Sequence, residues 1–433
     1  MISHLPDRVN AVEPTPPIPQ DSLRLAAIDP RAWPGVATVP SGATVRVGAR
    51  VAEARFASAC SRAGIELDPA RGAELIVEHD ALFRRIAASG WVGLAEGYMA
   101  GEWAARDSAT LVDALAKLLR ADYRPRTPSL SAGAHEGIGE IPPQLAAHFS
   151  GDGMSDFAGH FATGVPTTER VVRKRRGAAH AVDLTEFAAP LDVAGGDLAD
   201  AQRRSVELLL NACAAGRGTQ LAEYPSTGGA VAIAAAQRGC VVDSWVRSDA
   251  AEAALRDRLG YAGVSGAVHI EREAPRRGGY DAVVSLERLE TLGAEGKARY
   301  LGALGAALRP GGRIAVQTVT RTEACTVAAQ DALQSLRAYI WPGLTLASPG
   351  EVERVVEKRT ALRIVAQSRA PQHLEASLRL QRQAFDAHLR DAAADGFDAV
   401  YRRLWRWQLA LREALARLGM VDLMQFTLVA GRG

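Results

Sequence analysis

Residues 221–239 carry the feature that most limits what this chain can become. A short apolar segment ends at Glu223, turns through Tyr224-Pro225-Ser226-Thr227-Gly228-Gly229, and opens onto the alanine-rich run from Ala230 to Gln237. A strand that enters a tight glycine turn and leaves as a helix points backbone N–H groups at a nucleotide-type cofactor. Alanine favours the helix and Gly239 stops it. The turn itself is unusual, because Pro225 and Thr227 stand where a close backbone approach usually demands glycine, and only Gly228 and Gly229 remain. Proline lacks an N–H and fixes φ, and a β-branched threonine resists positive φ. The sequence therefore predicts a relaxed loop with a weakened cofactor cradle.

The same alternation continues on both sides of the loop. Helical segments are predicted over 201–214, 250–259 and 297–308, and strands over 219–223, 241–246, 280–285 and 313–319, the last after the Pro310-Gly311-Gly312 turn. This order predicts an α/β fold in which residues 201–433 form a doubly wound, Rossmann-like parallel sheet. Residues 41–120 are predicted to form a smaller, mainly helical N-terminal domain. Leu82, Ile86, Trp91 and Leu94 are spaced for burial, and Leu111, Leu115, Leu118 and Leu119 mark a helix face. Residues 1–40, with Pro14, Pro16, Pro17 and Pro19, are predicted to be a disordered leader. Residues 121–200, rich in proline and glycine and carrying Arg173-Lys174-Arg175-Arg176, are predicted to be a connector with little regular structure.

Composition closes off several function classes. The chain has 433 residues, enough for two domains with substantial cores. No apolar run approaches the roughly 20 residues that span a bilayer. A net charge of +2 gives no argument for nucleic acid. Cys60, Cys213, Cys240 and Cys325 form no Cys-x-x-Cys pair, so neither a metal site nor a disulfide framework is expected, and a cytoplasmic location is. Along 400–418, Val400, Leu404, Trp407 and Leu411 recur at helical spacing while Arg402, Arg403, Arg406 and Arg412 lie off that face. Two readings stay open: a core-packing helix with a solvated arginine face, or a membrane-surface contact with Trp405 and Trp407 at headgroup level.

Four segments together resemble the cyclopropane-fatty-acid synthase family, S-adenosylmethionine-dependent enzymes that modify unsaturated acyl chains of phospholipids. They are Gly93-Leu94-Ala95-Glu96-Gly97-Tyr98-Met99-Ala100-Gly101-Glu102-Trp103, Tyr280 to Ser285 followed by Glu290 and Gly293, Tyr339-Ile340-Trp341-Pro342-Gly343, and Asp422-Leu423-Met424-Gln425-Phe426. The similarity covers roughly residues 45–120 and 200–433. It implies a methyltransferase-type Rossmann-like sheet, S-adenosylmethionine as cofactor and phospholipid acyl chains as ligand. In the implied chemistry a cis double bond attacks the methyl carbon of a sulfonium, and a base then takes a proton from the carbocation. That requires a cofactor grip, an apolar slot and a positioned base.

The resemblance further implies a bicarbonate base held by Cys, Glu, His and Tyr. Glu290 falls on the glutamate, but Thr291 and Gln317 stand at the histidine positions, Leu374 (beside His373) at the tyrosine, and Arg412 at the cysteine. The expected site is therefore Glu290 as the catalytic residue and Glu223, Gly228, Gly229 and Ser248 on the cofactor. Each also has a plain structural role: Glu290 as a helix-end partner, His373 as a half-buried histidine, the glycines as packing elements. Two functions follow. One is a catalytically degenerate homologue that binds phospholipid acyl chains, with a membrane surface or an active paralogous methyltransferase as partner. The other is a working methyltransferase that forms cyclopropane or methyl-branched chains.

Overall fold

The computed structural model describes residues 25–128, 139–175, 178–191, 193, 196–273 and 275–431. A small antiparallel pair, β1 (Leu75–Val77) and β2 (Trp103–Ala105), ties the N-terminal helices together. The remaining strands form one sheet: β3 (Thr167–Arg175), β4 (Ala178–Glu186), β5 (Gln220–Glu223), β6 (Val241–Trp245), β7 (Val268–Glu271), β8 (Tyr280–Leu286), β9 (Leu308–Arg321), β10 (Leu362–Arg369) and β11 (Val421–Ala430). Their order is β3-β4-β10-β11-β9-β8-β5-β6-β7. Strands β9, β8, β5, β6 and β7 are parallel, and β11 runs antiparallel to both β9 and β10.

The central parallel strands β5, β8 and the second half of β9 are largely buried on both sides, as helix-covered strands must be, while the edge strand β7 is not. Leu221, Val242, Val284 and Ala315 face one helical layer, and Val283, Ile314, Val316 and Phe426 face the other. From β5 the chain proceeds outward to β6 and β7, then returns to lay β8 on the opposite side of β5. The carboxyl ends of β5 and β8 thus flank a topological switch point, where α/β sheets bind ligands. The α/β, doubly wound, Rossmann-like expectation matches this sheet.

Three local expectations are corrected. Within 121–200, β3 and β4 pair from Thr167↔Glu186 to Arg175↔Ala178, and β4 extends the sheet by pairing with β10. The β-branched content of Thr167 to Val172 and the cross-strand pair Arg170–Asp183 (2.6 Å) stabilise a hairpin that the surrounding prolines obscured. Of the expected leader, residues 1–24 lie outside the described residues, but Trp33 and Val36 are buried, and Trp33 Nε1 donates to Asp398 (2.7 Å). Along the Ala399–Arg417 helix, Trp405 and Trp407 are both 0% exposed, so neither meets a lipid surface from this fold. Its arginines are not simply solvated either: Arg406 pairs with Asp386 (2.6 Å) and Arg412 with Glu287 (3.3 Å).

The segment 93–103 is read out as packing. A Cβ on Gly93 would lie 2.0 Å from the Arg85 carbonyl oxygen, so two helices meet at a distance only glycine permits. Trp103 donates to the Leu94 carbonyl (2.8 Å), and the Tyr98, Trp103 and Trp407 rings cluster with centroids 5.2–6.1 Å apart. One hydrophobic core runs from these helices into Val327–Tyr339, Pro371–Ala387 and Ala399–Arg417.

Candidate active site

At the carboxyl end of β5 the chain makes an ordered turn. Gly228 (φ 70°) and Gly229 (φ 113°) take the left-handed conformations, so the β-branched Thr227 is not forced into one. Thr227 instead fastens the loop: its N–H (2.8 Å) and hydroxyl (2.5 Å) both donate to Glu223, and its oxygen accepts from Val231 N–H (3.2 Å) at the start of the Ala230–Gln237 helix. The expectation of a relaxed loop is therefore corrected.

Glu223 is fully buried beneath the turn and also accepts from the Ser244 hydroxyl (2.6 Å). Burial raises its pKa against these hydrogen bonds. It supports the loop rather than facing a ligand. The amides of Tyr224 and Ser226 donate to the Val284 and Trp245 carbonyls, and Pro225 has none. The N–H groups of Gly228 and Gly229 are left at the helix N-terminus as the donors suited to a carboxylate. Arg258 bridges the Gly228 carbonyl (2.9 Å) to that of Gly153 (2.6 Å), locking the crossing segment 151–163 over the turn. A Cβ on Gly228 would sit 2.8 Å from the Met154 oxygen. Gly228→Ala should therefore cost about 1–3 kcal/mol, read by urea unfolding as a lower midpoint with unchanged slope.

A cleft starts at this turn and runs without interruption into an apolar slot. Its first end is lined by Pro225, Thr227, Gly228, Val246, Arg247 and Ala254, and its far end by Leu333, Leu336, Trp341, Leu374, Leu378 and Leu415. The cleft is open at its mouth and lined mainly by apolar side chains toward its far end.

Between the two ends stand three carboxylates, Asp156, Glu287 and Glu290, with the cations of Arg288 and Arg412 among them. Glu290 is buried, accepting from the Thr318 hydroxyl (2.6 Å) and Val319 N–H (3.3 Å). Burial, and then the charge of Glu287, push its pKa up to about 7. Burial likewise raises Asp156 to about 6. Glu287 follows the end of β8 at φ 43°, a left-handed conformation rare for glutamate and characteristic of functional positions. Its Oε1 accepts from Ala158 N–H (2.7 Å) and Gln317 Nε2 (3.3 Å), and its Oε2 from Arg412 (3.3 Å).

The sequence-predicted residues are thus partly assembled. Gly228 and Glu290 line the cleft, while Glu223 lies under the loop. Gly229 opens the helix behind the turn. Ser248 caps the Asp249–Tyr261 helix through Ala251 N–H (3.2 Å) and does not line the cleft. His373 is fully buried rather than half-buried. Its Nδ1 accepts from Phe161 N–H (2.9 Å), so Nε2 donates to the Ala188 carbonyl (2.9 Å), and the ring is a neutral core fastener whose pKa burial lowers. Gln317 at 0% exposure hydrogen-bonds the Ala158 carbonyl and Gln425. Sequence reasoning missed Glu287 and Asp156. The signal for Glu287 was its place directly after the strand Tyr280–Leu286 at the switch point.

The residues fit a sulfonium cofactor at its amino-acid and sulfur end. Two glycine amides suit a carboxylate, and the carboxylates Asp156, Glu287 and Glu290 that line the same cleft suit a cationic sulfur. The family model for mycolic acid cyclopropane synthetase matches residues 189–426. This chain belongs to that family. The mycolic acid cyclopropane synthetases are S-adenosylmethionine-dependent lipid methyltransferases. The chain is 30% identical over 425 residues to the tuberculostearic acid methyltransferase UfaA1 of Mycobacterium tuberculosis, covering 93% of this chain and 96% of that protein. Among solved structures, the cyclopropane synthase MmaA2 from Mycobacterium tuberculosis shares the fold with a TM-score of 0.53 at 18% identity, over 69% of this chain and 96% of that one. Coclaurine N-methyltransferase bound to N-methylheliamine and SAH shares it with a TM-score of 0.52 at 12% identity, over 79% and 96%.

Proposed function

We propose that this chain methylates a cis double bond in a lipid acyl chain, with S-adenosylmethionine as the donor. The observation that carries the reading is the uninterrupted cleft from the Gly228 turn to the leucine-lined slot, with carboxylates where the two ends meet. When bound, the cofactor supplies an electrophilic methyl group. The chain's residues do the rest. Gly228 and Gly229 amides receive the donor's carboxylate, and Leu374, Leu378 and Leu415 hold the acyl chain in a dry slot. The carboxyl groups of Asp156, Glu287 and Glu290 line the cleft where the carbocation is left on the acyl chain after methyl transfer, and their oxygens stabilise it.

The proton lost from that carbocation goes to Glu287 Oε2. That oxygen has one partner among the described residues, Arg412, whereas both oxygens of Glu290 are engaged by β9. Glu290, expected from sequence as the catalytic residue, then acts as the buried group behind Glu287.

A second reading, a catalytically degenerate lipid-binding protein that supports a paralogous methyltransferase, is favoured by the cation of Arg412 at the junction and by Thr291, Gln317 and Leu374 at the polar positions. Calorimetry with S-adenosylhomocysteine and mass spectrometry of lipids from cells expressing the protein separate the two. Micromolar binding with acyl chains 14 mass units heavier (the transferred CH₃ less the lost proton, whether the loss closes a ring or leaves an unsaturated branch) supports the enzyme. No binding and no product supports the degenerate homologue. No helix among the described residues is long and apolar enough to cross a membrane.

A further inference from the structure

A second depression adjoins the acyl slot and has the opposite character. Lys297, Arg321, Arg337, Arg354, Lys358 and Arg359 line it, against the single acid Glu351. Leu333, Leu344 and Leu346 line both this depression and the cleft, so one layer of leucine side chains separates the basic basin from the acyl slot. The cations come from four separate segments: the Ala294–Ala307 helix, the end of β9, the Val327–Tyr339 helix and the Pro349–Arg359 helix.

Part of this charge has a local explanation. Arg321 pairs with Glu351 (2.6 Å), Arg354 lies 3.9 Å from the same carboxylate, Arg359 pairs with Glu295 (2.9 Å), and basic residues in the last turn of Pro349–Arg359 complement its dipole. The remainder does not. Arg337 reaches only neutral groups, Gln334 (3.1 Å) and the Pro342 carbonyl (3.4 Å), and Lys358 meets no acid among the described residues. Lys297 is 4% exposed, its ammonium donating to the carbonyls of Leu292 and Thr345 (2.7 Å), and burial brings its pKa down to about 8. A concavity with an excess of one sign, partly desolvated, concentrates the opposite charge, and clustered Arg and Lys donors suit a phosphate.

We propose that this basin seats the phosphate of an anionic phospholipid whose acyl chain enters the cleft past Leu333, Leu344 and Leu346. The inference rests on the acyl-chain reading above and names the substrate's polar end. The cations lie one side-chain layer from the slot, behind Leu333, Leu344 and Leu346.

The test uses the full chain, vesicles of oleoyl phosphatidylglycerol or of dioleoyl phosphatidylcholine, and the variant Arg354→Gln/Lys358→Gln. Both substituted side chains are on the exposed surface of one helix, so the fold should persist, and unfolding midpoint with S-adenosylhomocysteine affinity checks that it does. The wild-type chain should co-sediment with phosphatidylglycerol vesicles about 10-fold more tightly than with phosphatidylcholine, and the variant should lose most of that difference. Short-chain soluble phosphatidylglycerol should displace the vesicles, while equimolar inorganic phosphate should not. Undiminished binding of the variant overturns the proposal. Equal competition by inorganic phosphate also overturns it, because the site would then be for free phosphate. Charge-dependent vesicle binding without any methylated product would leave this inference standing and sink the methyltransferase reading; product with charge-independent binding would do the reverse.

Discussion

Glu287→Gln is expected to abolish most product formation while S-adenosylhomocysteine still binds. The amide keeps the shape of the carboxylate and can still accept from Ala158 N–H, now 2.7 Å away, so the turn at φ 43° and the segment crossing it should hold. It cannot accept a proton, and it removes one of the negative charges facing the carbocation. A positioned base contributes about 10²–10⁴-fold, so methylated lipid should fall by that factor in mass-spectrometric assays. Glu290→Gln separates the roles. Its oxygens are bound by Thr318 and Val319, so it should act more weakly, through the field at Glu287. Full activity in Glu287→Gln together with loss in Glu290→Gln would return the proton to Glu290. Indifference to both would favour the degenerate homologue.

The second large effect is on stability. Arg85 is 0% exposed, pairs with the equally buried Glu102 (2.9 Å), lies 3.7 Å from Glu96, and donates to the carbonyls of Gly35 (2.8 Å), Val36 (2.6 Å) and Thr38 (3.1 Å). Glu96 in turn accepts from Tyr339 (2.7 Å), and burial raises its pKa to about 7. Arg85→Met would take the guanidinium from a buried carboxylate and from three carbonyl oxygens. Breaking such a pair by removing one partner costs about 3–5 kcal/mol, measurable by denaturant unfolding. Adding Glu102→Leu should recover a good part of the loss, because an apolar pair needs no compensating charge. Failure of the double variant to improve on the single one would mean that the carbonyls at 35–38, rather than Glu102, dominate the cost.

The buried ion network explains why the segment 93–103 was conspicuous in sequence although it lies outside the cleft. Its glutamates and glycines are demanded by close packing and charge pairing around Arg85, and its tryptophan by the Leu94 carbonyl. A sequence can display such a cluster without revealing whether it serves folding or chemistry. Position 317 makes the converse point: a glutamine there reads as a lost histidine, yet in the fold its amide joins Ala158, Glu287 and Gln425.

The sheet was legible because its signal is local. Apolar runs at β5, β6, β8 and β9, glycine punctuation at Gly228, Gly229 and Gly311, and an alanine helix between them each dictate their own structure through backbone conformation and burial. From the amino-acid sequence alone came that α/β order, the place of the turn after β5, and Glu290 as a carboxylate of the cleft. Only the tertiary structure decided which glycines carry positive φ, that Thr227 secures the loop, that Trp405 and Trp407 are core, and that Glu287 gathers Ala158, Gln317 and Arg412. Those four groups are up to 254 positions apart in the chain, from Ala158 to Arg412. No local periodicity encodes such a meeting; it arises where strand ends converge at the switch point and burial leaves each polar group one another's remaining partner.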